Sequence, residues 1–134
     1  MSMSNRERVG RALELLGQDF KPFFERQMKS VYGERWLAQA SLSFERGLRD
    51  NGALKDVHAL LKVTWDQWRQ VFGKTLGQTE RTLVSELRDD RNRWAHQESF
   101  SFDDAYRSLD SSYRLLAAIS AGDEASEVAA SARS

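Results

Sequence analysis

The sequence predicts an all-α fold, a compact bundle of five or six helices. Three observations carry that prediction. Apolar residues recur at three- and four-residue intervals along most of the chain. No stretch alternates with a period of two over strand length. Pro22 is the only proline available to interrupt a helix.

The first helix is expected from about Asn5 to Gly17, with Val9, Ala12, Leu13 and Leu16 on one face and Gly17 as its stop. Asp19 is placed to cap a second helix, which tolerates Pro22 in its first turn because an amide there has no intrahelical partner. Its stripe is Phe20, Phe23, Phe24, Gln27, Met28 and Val31. After Gly33 the pattern resumes at Trp36, Leu37, Ala40, Phe44 and Leu48, and Asp50-Asn51-Gly52 is the clearest loop signal. Leu54, Val57, Leu61, Trp65, Trp68 and Phe72 follow at helical spacing, until Gly73 breaks the run. A long helix is predicted from roughly Leu76 to Ala95, with Leu76, Leu83, Val84, Leu87, Trp94 and Ala95 on one face. Beyond a loop from about Gln97 to Phe100, Ser101 and Asp104 have the spacing of a capping box, with Asp in place of Glu. The last helix takes Phe102, Tyr106, Leu109, Tyr113, Leu116 and Ile119 as its apolar stripe.

The expected domain covers residues 1–121. Residues 122–134 are small and acidic without bulky apolar anchors, and read as a disordered tail or the start of a linker to a further domain. At 134 residues the chain is long enough to bury a core of its own. Lysine plus arginine equals aspartate plus glutamate at 20 each, so a general nucleic-acid-coating role is disfavoured and any binding must be local. The absence of cysteine excludes disulfides, thiolate catalysis and cysteine-type zinc sites. No apolar span reaches membrane length and the N-terminus lacks the apolar centre of a signal peptide, so the chain reads as cytoplasmic. No Asp/His pattern argues for a metal, and no cofactor is expected.

The most informative stretch is Arg91-Asn92-Arg93-Trp94-Ala95-His96, at the end of the long helix. Arg91 falls inside the apolar stripe, four residues after Leu87 and three before Trp94. A guanidinium there costs several kcal/mol unless it is paired or lines a wet cleft, so a compensating group is required. Glu80, Glu86 or an acid elsewhere in the fold would serve. His96 at a helix C-terminus also has a purely structural role open to it, since a cation there favours the helix dipole. Arg88 lies three residues before Arg91, but the adjacent Asp89 and Asp90 suggest a solvated, mutually neutralised run. His58 reads as a boundary residue of the core, and the helical spacing of Trp36, Trp65 and Trp68 points to packing rather than base stacking.

Arg91, the polar Asn92 and His96 after four intervening residues resemble the signature of the HEPN superfamily. The motif ends a penultimate helix and one more amphipathic helix follows, as in that family. The stretch from Ala12 through Gly33-Glu34-Arg35-Trp36 to Leu116 resembles the Swt-type branch in particular, so the resemblance covers about the first 120 residues. It implies a metal-independent endoribonuclease acting on single-stranded RNA as a homodimer, with Arg91 and His96 as catalytic residues. Asn92 and Arg88 would be supporting or substrate-binding residues, and the whole would belong to a larger defence or RNA-processing protein. The alternative is a non-catalytic HEPN dimerisation or interaction module serving a downstream catalytic domain.

Histidine suits such chemistry because it gives or takes a proton near neutral pH, and a fixed guanidinium stabilises phosphorane charge. Five residues at the helical step place Arg91 and His96 about 140° apart on a straight helix. Either the helix ends or bends near Trp94, or a cleft between two protomers gathers Arg91 from one and His96 from the other.

Overall fold

The Ser4 hydroxyl accepts a hydrogen bond from the Glu7 amide at 3.1 Å and so caps the first helix, α1, Asn5–Tyr32. In this computed structural model, residues 3–48, 52, 54 and 56–133 are described, with side chains up to residue 121. Asp50 and Asn51 of the expected loop lie outside the described residues.

The break expected at Gly17 does not occur, and Asp19 caps nothing, because α1 runs through both Gly17 and Pro22. The physical reason lies in the stripe. Val9, Leu13, Leu16, Phe20, Phe23, Phe24 and Met28 form one continuous buried face. Burying each large side chain contributes about 1.5–3 kcal/mol. That sum exceeds the roughly 3 kcal/mol cost of an interior proline and about 1 kcal/mol for a glycine. The helix stops at Gly33, whose φ of 61° suits a residue without Cβ and whose N–H bonds the Lys29 carbonyl.

A single 3₁₀ turn leads into α2, Trp36–Ser41, which is shorter than the apolar pattern suggested. The Ser41 hydroxyl donates to the Leu37 carbonyl at 3.0 Å and accepts from the Leu48 amide at 3.2 Å, replacing further helix with a closed turn. Asp56 caps α3, Val57–Asp66, its carboxylate accepting the His58 amide at 2.8 Å. The fourth helix, α4, Gln78–Ala95, begins where the Glu80 side chain accepts the Gly77 amide at 2.9 Å. The fifth, α5, Phe102–Arg133, opens on the expected capping box. The Asp104 amide donates to the Ser101 hydroxyl at 3.0 Å, and the Ser101 amide to the Asp104 carboxylate at 3.2 Å.

The fold is therefore all-α, with five α-helices and no strand among the described residues. α1 is the central rod, in contact with α3, α4 and α5. Its phenylalanines meet Phe72, which stacks on Phe24 at a centroid distance of 5.5 Å. Trp36 and Trp68 are buried, as packing required, while Arg81 covers the Trp65 ring at 4.8 Å.

The stripe expected to seat α5 is largely turned outward. Phe102, Tyr106, Leu109 and Tyr113 are exposed, and the buried face is Ala105, Ser108, Ser111, Ser112, Leu115 and Ile119. Small side chains let α5 lie close against α1 and α4, a fit that Tyr106 or Tyr113 would prevent. Ser111 donates to Glu86 at 3.3 Å. Among the described residues no helix is long and apolar enough to cross a membrane.

Candidate functional site

The compensation that Arg91 requires comes from Asp56. The guanidinium Nη2 donates to Asp56 Oδ2 at 3.0 Å, joining α4 to the cap of α3. Asp56 thus serves two positive partners, Arg91 through one oxygen and the His58 amide through the other. Glu86, one of the acids expected to pair with Arg91, instead binds Arg107 at 2.9 Å. Asp56 went unrecognised in the sequence, although an Asp directly before the periodic Val57 is itself a helix-start signal.

Arg91 lies in the wall of an open groove of about 470 Å³ along α1. Leu13, Gly17, Val57 and Trp94 make the wall apolar, and Lys21 and Asp56 make it polar at one side. The groove depends on Gly10, where an added Cβ would lie 2.8 Å from the Trp94 indole nitrogen. Arg6 sits over that indole ring at 4.9 Å from its centroid.

His96 is the C-cap of α4 and is exposed. Its amide bonds the Asn92 carbonyl at 3.0 Å, so the helical ladder continues up to it. The chain reverses one residue later. Gln97 has φ 59°, its amide bonds Trp94 and the Glu98 amide bonds Arg93, which together form a Schellman closure. Arg93 clamps the loop by donating to the Ser99 carbonyl at 2.9 Å and to Asp104 at 3.3 Å, and it covers the Phe100 ring. Asn5 reaches the Phe100 carbonyl at 3.1 Å and ties the loop to α1.

The helix thus ends beside Trp94, but the reversal comes after His96. Among the described residues no hydrogen bond or ion pair joins the side chains of Arg91 and His96, and His96 does not line the groove. Asn92 is exposed like His96, four residues earlier on the same helix.

Arg88 is not the solvated charge its neighbours suggested. It is half-buried, and its Nε is buried with no hydrogen-bond partner among the described residues. His58 is also half-buried with an unpartnered Nδ1. Burial holds its pKa below the ordinary histidine value, and the nearby Arg91 charge adds to that; Asp56 opposes. Elsewhere on α4, burial raises the Asp90 pKa. Among the described residues no three His, Asp or Glu side chains gather in a way that would hold a metal ion.

The family model for Swt1-like HEPN domains matches residues 11–120. The chain belongs to the Swt1-like HEPN family. Comparisons with curated proteins and with solved structures found no match. For this HEPN domain, the matched span contains all of Arg88, Arg91, Asn92 and His96.

Proposed function

We propose that this HEPN domain is a metal-independent endoribonuclease that works as a homodimer, with Arg91 and His96 as its catalytic residues. The observation that carries the reading is the state of Arg91. It is held at the edge of an open groove through a single ion pair, with donor groups left over for a phosphate. Because no hydrogen bond or ion pair joins it to His96 among the described residues, the proposed cleft combines Arg91 of one protomer with His96 of the partner subunit.

In that cleft a ribose 2′-oxygen attacks the adjacent phosphorus while its proton passes to a base. The bond from phosphorus to the 5′-oxygen breaks, and that oxygen takes up a proton. The products are a 2′,3′-cyclic phosphate and a 5′-hydroxyl. His96 serves one of the two proton transfers, and Arg91 stabilises charge on the phosphorane. Asn92 supports His96 or a phosphate, and the need for a 2′-hydroxyl restricts cleavage to RNA.

The second reading is a non-catalytic dimerisation module that serves a further domain, within a defence or RNA-processing protein. It is favoured by the zero net charge and by the lack of a hydrogen bond or ion pair between Arg91 and His96 among the described residues. Incubation with single-stranded RNA in the presence of a chelator separates the two readings. Cleavage with cyclic-phosphate ends, lowered roughly 10²–10⁴-fold by His96→Ala, is the expected result. Cleavage that survives this substitution, or that the chelator abolishes, removes the proposed chemistry.

A further inference from the structure

The cations around α3 and α4 are unevenly neutralised. Lys62 pairs with Asp66 at 3.1 Å, and Lys21 pairs with Glu25 at 3.9 Å. Asp56 accepts from Arg91 through one oxygen and from the α3 backbone through the other, and no ion pair joins it to Arg88 among the described residues. Among the described residues, Arg88 Nε and His58 Nδ1 are buried without partners. An unpaired buried donor or acceptor is costly, so a polar ligand within reach of either group is favoured. The N-terminus of α3 adds its own partial positive charge beside His58.

We propose that Arg88 and His58 form a subsite for the phosphodiester adjoining the one at Arg91, with Asp56 as the resident counter-ion. The proposal rests on the reading of this domain as RNA-binding. It assigns to His58 a role distinct from that of His96: it holds a phosphate next to the one being cleaved. Such a subsite reads phosphate and not sugar, so single-stranded DNA binds it although DNA lacks the 2′-hydroxyl for cleavage.

The groups acting on His58 are Asp56 and Lys62 on α3 and Arg88 and Arg91 on α4; Lys21 and Glu14 of α1 line the adjoining groove. In the free protein burial holds its pKa below the ordinary histidine value and so favours the neutral imidazole. A phosphate bound beside it favours the imidazolium, so binding takes up a proton and tightens as pH falls.

The test is fluorescence anisotropy of a labelled single-stranded DNA with the whole chain, at about pH 6 and about pH 8. Arg88→Ala is expected to weaken binding roughly tenfold and to lower the salt slope by about 1. His58→Gln is expected to remove the pH dependence. Wild-type affinity in both variants overturns the subsite, even if RNA is still cut through His96. Weakened binding in both, with no RNA cleavage by the wild type, keeps the subsite and removes the nuclease reading. In case either variant unfolds, the His58 imidazole is titrated by NMR in the wild-type protein, with and without the same DNA. A raised pKa in the complex supports the subsite, and an unchanged one overturns it.

Discussion

Asp56 does two jobs at residue scale, and substitutions separate them. As N-cap of α3 it accepts the His58 amide, and as counter-ion it holds Arg91. Asp56→Asn keeps a good capping side chain and removes only the charge. The carboxylate is more than half exposed, so that loss is expected to be about 0.2–1 kcal/mol. Asp56→Ala removes the cap as well, adding about 1 kcal/mol. Chemical denaturation of the two variants checks the order; equal losses would show that the cap adds nothing, and wild-type stability in Asp56→Asn that the ion pair contributes nothing. Arg91→Lys keeps the charge but loses the planar fork, so RNA cleavage should fall nearly as far as in Arg91→Ala, roughly 10²–10³-fold. Full activity of the Lys variant would sink the assigned role of Arg91.

The helix α4 owes its definition to its two ends. Glu80 satisfies an amide at the start, and the Schellman turn satisfies carbonyls at the finish. The weak point of that turn is Gln97, a residue with a Cβ in the left-handed region. The strain costs about 1–2 kcal/mol, and glycine recovers it less its own chain-entropy cost of roughly 0.5–1 kcal/mol. Gln97→Gly should therefore raise stability by about 0.5–1 kcal/mol, read as a higher Tm. Since this turn follows His96, a lower Tm would mean that the loop after the motif is held by its side-chain clamps and not by the turn.

For the whole molecule, two surfaces are candidates for the proposed dimer interface. One is the groove of Leu13, Gly17, Val57 and Trp94 beside Arg91. The other is the outward stripe of Phe102, Tyr106, Leu109 and Tyr113 on α5, an apolar patch of the kind that marks interaction sites. A composite catalytic cleft requires the motif-bearing helix at the two-fold axis. Sedimentation of the wild type should accordingly give a dimer that persists in the Tyr106→Ser/Tyr113→Ser double variant. A monomer from that variant would move the interface to α5, and a monomeric wild type would remove the composite cleft.

Helical class, the span of α4, the capping box before α5 and the Arg91-Asn92-His96 signature are all local properties, and the sequence alone determined them. Periodicity and caps act within a few residues, and so they are legible in one dimension. It also showed that Arg91 needed a partner, because a guanidinium within an apolar stripe carries a known cost. Only the tertiary structure decided that the partner is Asp56, 35 positions away in the chain. It alone joined α1 across Gly17 and Pro22, where packing against α3, α4 and α5 outweighs two local breaking signals. It also turned the α5 aromatics outward, because the face with the largest side chains is not the one that fits closest to its neighbours. Those three outcomes rest on contacts between distant segments, and local pattern carries no record of which segments will meet.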